Sequence, residues 1–163
     1  MCIRDRFKKS AYQDKLSFWK EYLTGYEDLP LPLDKPRPTH FSYKCAHVNF
    51  SLDKDVSLQL ASLAKAHGTT LYTVLLMAFN ILMSRYSGQE DVIIGSPIAN
   101  RYHHQIEGLV GVFVNTLVLR NQVDCDKSVS SLLRDITINA LNAFEHQEAV
   151  SYTHLTLPTN REV

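Results

Sequence analysis

The chain has 163 residues, with 17 Lys and Arg balanced by 17 Asp and Glu, and a pI near 7.0. At 45% hydrophobic and 21% charged residues, it is an ordinary globular sequence, which excludes a disordered tail, a collagen-like repeat and a supercharged binder. No surplus of cations is available to displace counterions from a phosphate backbone, so sequence-independent nucleic-acid binding is disfavoured as well.

Cys2, Cys45 and Cys125 are too far apart to form a metal knuckle or a redox pair, and they suit a reducing cytoplasm, the expected location. Met1-Cys2-Ile3-Arg4-Asp5-Arg6 lacks the apolar stretch of a signal peptide. Leu71 to Met83 is the most apolar run, but it is broken by Thr73 and Asn80 and is shorter than the roughly 20 residues of a membrane span. No membrane role is expected.

From the N-terminus, Ala11 to Thr24 places Tyr12, Leu16, Trp19 and Leu23 on one helical stripe, with Gly25 where a left-handed cap would stand. Leu29 to Pro38 carries four prolines and reads as a stiff surface connector. From residue 46 the period becomes two: Ala46, Val48, Phe50 and Leu52 alternate with polar residues, which predicts a half-buried strand. Asp53 or Asp55 can cap a helix with Val56, Leu60, Leu63 and Ala64 inward and Gly68 at its end. Thr69 or Thr70 caps the next, Leu71 to Tyr86, whose apolarity nearly all round predicts a central helix covered on both sides.

Asp91 to Gly95 reads as a fully covered strand whose pairing stops at Pro97. Ile98 to Gly111 is a polar loop, and Val112 to Arg120 a strand with Asn115 and Thr116 at its middle. Ser128 caps a last helix with Val129, Leu132, Leu133, Ile136, Ala140 and Phe144 on its inward stripe. Helix, strand, two helices, two strands and helix make an α+β layer of helices on a small sheet.

Few residues point to chemistry. His103 and His104 are adjacent, so on an extended backbone their rings face opposite ways, and no helical His pair with a carboxylate supports zinc; no metal is expected. Cys45 and His47 share a strand face but lack a third orienting group. Gly95-Ser96-Pro97-Ile98 lacks the second glycine of a nucleophile elbow, and Gly108 and Gly111 do not have the spacing of a phosphate-cradling loop. Asn115 stands out because its amide interrupts an apolar strand and needs partners for both donor and acceptor; a substrate or the neighbouring backbone can supply them.

Three stretches carry a resemblance: Phe18 to Leu23 (FWKEYL), Tyr86 to Arg101 (YSGQEDVIIGSPIANR) and Glu107 to Thr116 (EGLVGVFVNT). Together they closely resemble the condensation domain of nonribosomal peptide synthetases, over about Tyr12 to Glu148, and Phe113-Val114-Asn115-Thr116 matches one of that family's signature motifs. His146-Gln147-Glu148 is similar to the start of the next motif, which normally continues into Pro-Phe-Glu; after Ala149 this chain departs from it. Residues 150–163 and residues 1–6 resemble translated adapter read-through from metagenomic assemblies. The expected organisation is therefore adapter-derived residues at 1–6 and 150–163 around a truncated condensation domain at 7–149.

The resemblance implies an α/β sandwich like chloramphenicol acetyltransferase, in which two lobes form a V around a tunnel, with this chain as the C-terminal lobe, helices on a small mixed sheet. It also implies amide-bond formation between carrier-tethered acyl or peptidyl and aminoacyl thioesters. No cofactor would bind directly; the phosphopantetheine arms of upstream and downstream peptidyl carrier proteins would deliver the reactants, beside an adenylation domain and the N-terminal lobe. The family's His-His-x-x-x-Asp-Gly motif belongs to that other lobe, and His103-His104-Gln105-Ile106-Glu107-Gly108 is a decoy with its acid one position early, so this chain alone is expected to be inactive. Asn115, with Gly111, Phe113 and Thr116, is the implied tunnel wall, and Gly95, Ser96, Asn100 and Arg101 the implied lobe-bridging or floor positions. A noncatalytic docking lobe and an epimerisation or acyltransferase relative are the alternatives, and a lobe without its partner should expose an apolar face.

Overall fold

A computed structural model of the chain describes residues 10–36, 39–40, 45–101 and 108–147. The first helix, α1, spans Ser10–Tyr22. Its Trp19 is wholly buried and Leu23, just past its end, nearly so, while Leu16 packs at the core's edge. The helix stops two residues before the pattern's limit, because the chain turns through Thr24, whose Oγ1 donates to the Lys20 carbonyl, into Gly25 at φ 67°. The described residues of the proline-rich connector form no helix or strand and are mostly exposed, as expected.

Residues 46–52, predicted as a strand, have no regular structure, and Val48 and Phe50 are 89% and 84% exposed. Alternation specifies a face, but a strand also needs a neighbour for its N–H and C=O groups, and none of the described residues pairs here. Helix α2, Lys54–Ala66, follows Asp53, which takes the N-cap place without a side-chain capping bond. Its inward face is Ala64 with half-buried Leu60 and Leu63; Val56, predicted inward, is exposed because the helix's first turn lies beyond the packed layer. Gly68, at φ 61°, ends the helix as predicted.

Helix α3, Leu71–Ser87, is capped by Thr70, whose hydroxyl accepts from the Thr73 N–H, and ends at Gly88 in the left-handed region. Only one side is covered. Val74, Leu76, Met77 and Asn80 are buried, whereas Tyr72, Leu75, Phe79, Leu82 and Tyr86 form an exposed stripe at 43–62% exposure. The expectation of burial all round is corrected: α3 packs on α2, the sheet and the last helix, and those elements occupy one side of it.

Strands β1, Asp91–Ile98, and β2, Asn115–Gln122, pair antiparallel from Asp91↔Gln122 to Ile98↔Asn115. Pro97 does not end the pairing, since it stands opposite Thr116 within the ladder; on an edge strand a residue without an N–H is tolerated. Nor is β1 fully covered, for Val92 and Ile98 are buried while Gly95 and Pro97 are exposed. β2 starts three residues later than predicted because its partner ends at Ile98, which makes Asn115 the first residue of the strand and leaves Val112 and Val114 exposed.

Helix α4, Val129–Glu145, begins at Ser128, whose hydroxyl accepts from the Ser131 N–H. Leu132, Leu133, Ile136, Ala140 and Ala143 form its buried stripe; Val129, predicted inward, is exposed in the first turn, and Phe144 is half-buried. The helix packs across β2 and against α3. The core is thus Trp19, Val74, Val92, Leu117, Leu119, Leu133 and Ile136, each contributing about 1.5–3 kcal/mol by leaving water. Through it runs a chain of amides: Asn139 Nδ2 donates to Asn121 Oδ1, Asn121 Nδ2 to Asn80 Oδ1, and Asn80 Nδ2 to the Leu76 carbonyl.

Candidate functional site

The ladder's register brings the candidates together at one end. Gly95 and Ser96 lie late in β1, opposite Val118 and Leu117, while Asn115 and Thr116 open β2 opposite Ile98 and Pro97. Asn100 and Arg101 follow β1, and Gly111 and Phe113 precede β2. Gly95 faces the Thr116 methyl closely: a Cβ there would stand 3.2 Å from it, and the methyl would have to give by a few tenths of an ångström. Ser96 Oγ accepts a 2.8 Å hydrogen bond from the Tyr72 hydroxyl on α3. Tyr72 gives no signal of this in the sequence, where it reads as one more apolar helix position.

Arg101 turns back on the loop before β2. Its Nη1 donates to the Leu109 carbonyl at 2.9 Å and its Nη2 to the Gly111 carbonyl at 3.2 Å, with the guanidinium 4.5 Å from the centre of the Phe113 ring. A Cβ on Gly111 would stand 3.2 Å from that ring. Asn100, just before, adopts φ 53°, and its buried Oδ1 has no hydrogen-bond partner. Asn115 is half-buried, and its Oδ1 accepts from the Thr116 N–H at 2.9 Å. The neighbouring backbone therefore does supply that amide's acceptor side, one of the two sources open from the sequence.

Missed in the sequence is a second polar cluster at the opposite half of the ladder. Arg120 donates from Nε to both Asp91 oxygens at 2.9 and 3.0 Å and from Nη2 to Asp91 Oδ2 at 2.6 Å. Its Nη1 caps the Tyr22 and Thr24 carbonyls, both at 2.9 Å, at the end of α1. The Tyr22 hydroxyl accepts from the Arg120 N–H and donates to the Arg120 carbonyl. Burial pushes the Tyr22 phenol above its usual 10.0, against the pull of Arg120, and the hydrogen bond to Asp91 holds Arg120 protonated even more firmly than usual. A cavity of about 510 Å³ opens beside Tyr22, Arg120, Lys127 and Asp135, away from the candidate end. Its cations already carry partners, since Lys127 pairs with Asp135 at 2.8 Å.

His103, His104 and Glu107 of the decoy motif lie outside the described residues. Cys45 and His47 are exposed and on no strand, so the shared strand face foreseen for them does not form. Among the described residues, no group of three or more His, Cys, Asp or Glu could hold a metal, and no single helix is long and apolar enough to cross a membrane. Chemically, the candidate end offers amides, a hydroxyl and a fixed cation. Such groups can orient a reactant or stabilise developing charge.

An α+β layer of helices on an antiparallel ladder, with an Asn-Thr pair opening one strand beside a clamped loop, defines a class of fold that comparison with known proteins identifies. The condensation-domain family matches residues 3–162, and the chain belongs to that family. It is 41% identical over 145 residues to tyrocidine synthase 3 of Brevibacillus parabrevis, covering 87% of this chain and 2% of that protein. To chondramide synthase cmdD of Chondromyces crocatus it is 40% identical over 144 residues, covering 88% of this chain and 4% of that one. The fold superposes on a crystal structure of a four-domain nonribosomal peptide synthetase bound to AMP and glycine with a TM-score of 0.83 at 26% identity, over 88% of this chain and 11% of that one. The chain thus spans only a few per cent of the length of the curated relatives it matches.

Proposed function

We propose that this chain is one lobe of a condensation domain that joins carrier-tethered acyl or peptidyl and aminoacyl thioesters through an amide bond in nonribosomal peptide synthesis. The acceptor amine attacks the donor thioester carbon, the tetrahedral oxyanion collapses, and the thiolate leaves with the proton the amine gives up. The carrying observation is that residues of two resembling stretches, Gly95 to Arg101 and Phe113 to Thr116, meet at one end of the ladder. There Asn115 supports reactants by hydrogen bonding, with Gly111, Phe113 and Thr116 beside it.

No side chain in this group is a general base. Proton handling is assigned to a His-His-x-x-x-Asp-Gly motif on the N-terminal lobe, so the chain alone is inactive. The phosphopantetheine arms of flanking carrier proteins bring both reactants, an adenylation domain loads them, and the exposed thiols of Cys45 and Cys125 fit a reducing cytoplasm. The exposed apolar stripe of α3 favours an additional docking role toward the rest of the domain. Residues 7–149 carry this function, and residues 1–6 and 150–163 are taken as adapter-derived.

The test supplies the N-terminal lobe in trans with loaded carriers. Dipeptidyl product is expected only with both lobes, and Asn115→Ala should lower turnover without lowering the unfolding midpoint. Product from this chain alone, or binding of carriers without any turnover in the complete domain, would overturn the catalytic reading.

A further inference from the structure

We infer that Arg101 is a positioning residue for Asn115, acting through a clamp on the loop that enters β2; the functional part of this inference rests on the condensation reading above. Three independent contacts converge on one guanidinium. Two are hydrogen bonds to the Leu109 and Gly111 carbonyls. The third is the face of Phe113, 4.5 Å from the guanidinium carbon, a distance at which ring quadrupole and cation attract.

Two neighbouring residues make this geometry possible. Asn100, in the left-handed region at φ 53°, reverses the backbone just before Arg101, a conformation asparagine adopts more readily than other non-glycine residues. Gly111 leaves room for the Phe113 ring, which a Cβ would meet at 3.2 Å. In the loop itself Val110, Val112 and Val114 are 104%, 93% and 66% exposed, so their side chains add little packing. A planar, five-donor cation thus ties the segment two residues ahead of Asn115 to the end of β1. A lysine is a poor replacement, since its ammonium is a point donor with no planar face to lay on the ring and cannot reach from two separate nitrogens.

The consequence is a division of labour. Arg101, bound to backbone and ring, fixes the path by which residues 109–113 enter β2 and hence how the Asn115 amide is presented. Its loss should leave the buried ladder intact, because Leu117 and Leu119 are fixed by the core, and should free residues 109–115.

The experiment has two arms. In the full chain, backbone 15N relaxation should give order parameters for residues 109–115 that fall from about 0.85 to below about 0.6 in R101A and R101K, with Leu117 to Asn121 unchanged. In the complete domain with loaded carriers, R101A and R101K should each lower kcat roughly 10–100-fold with little change in KM. The R101A/N115A double variant should be no slower than N115A, since the two residues act in series. Unaltered order parameters, wild-type turnover in R101A, or losses that multiply in the double variant would each refute the positioning role. A wild-type domain that condenses nothing would instead sink the condensation reading and leave the relaxation data to decide the clamp. R101K keeps the charge and stem, so it serves should R101A fail to fold.

Discussion

Arg120→Ala should unfasten α1 from the ladder. The substitution removes three charge-assisted contacts to Asp91 and two to the Tyr22 and Thr24 carbonyls. Removing one partner of a fully buried pair costs about 3–5 kcal/mol. Here both side chains keep some solvent contact, 18% and 24%, so water can partly re-solvate the abandoned carboxylate and the expected loss is about 2–4 kcal/mol. For a chain of this size that is a fall in Tm of roughly 5–15 °C.

The chain reports on itself, since Trp19 is its only tryptophan, lies fully buried on α1 and donates from its indole to the His146 carbonyl at 3.0 Å. Urea unfolding followed by tryptophan fluorescence and by far-UV circular dichroism should show the fluorescence midpoint moving first, as α1 detaches ahead of the rest. A double-mutant cycle with Asp91→Ala should give a coupling of about 1–3 kcal/mol. A loss under about 1 kcal/mol, or zero coupling, would show that the cluster is dispensable and that apolar packing alone docks α1.

Tyr22→Phe removes both hydrogen bonds to the Arg120 backbone and should cost about 1–2 kcal/mol at neutral pH, measured by urea unfolding. It should also change the alkaline limb. The folded phenol holds its proton above the usual 10.0, so from about pH 10 the unfolded chain ionises first and stability falls with rising pH; in Y22F that contribution to the fall should be absent. Asn121→Leu breaks the amide chain at its centre and leaves Asn80 and Asn139 each short of a partner; a loss of about 1–3 kcal/mol in thermal unfolding is expected. Phe50→Ser should change stability by less than about 0.5 kcal/mol, because the side chain is 84% exposed.

Local signals in the sequence carried most of the helices. Ser128 and Thr70 cap where their hydroxyls reach the third N–H, and Gly25, Gly68 and Gly88 fall where the backbone needs positive φ. Strands fared differently, because their existence depends on partners. The alternation at 46–52 is as regular as that of β2, yet β2 pairs with β1 while 46–52 find no partner among the described residues. Apolarity around α3 likewise says that both sides can be covered, without saying what covers the second. The candidate end was legible through its motifs, but the clamp of Arg101 was not, since nothing in the spacing of residues 101, 109, 111 and 113 announces a backbone contact. Asn80 was visible as an interruption in an apolar helix; its chain through Asn121 to Asn139 spans three elements and needed coordinates.

The two ends of the ladder are held by different means, and under the proposed function this separates stability from turnover. At the Asp91 and Arg120 end, charge-assisted bonds lock a helix terminus onto the sheet; at the Asn115 end, a cation and a ring hold an exposed loop. Gly95 lies between these two regimes. Gly95→Ala would gain about 0.4–1 kcal/mol from a less flexible unfolded chain, while its Cβ, 3.2 Å from the Thr116 methyl, must push that side chain by a few tenths of an ångström. Stability should therefore change by less than about 1 kcal/mol. Thr116 is bonded directly to Asn115 and its N–H holds the Asn115 oxygen, so the displacement reaches the amide, and condensation by the complete domain should slow several-fold while the unfolding midpoint moves by no more than about 4 °C. Turnover and midpoint falling together would mean that the Asn115 end bears structural load like the other, and that the division between the two ends does not exist.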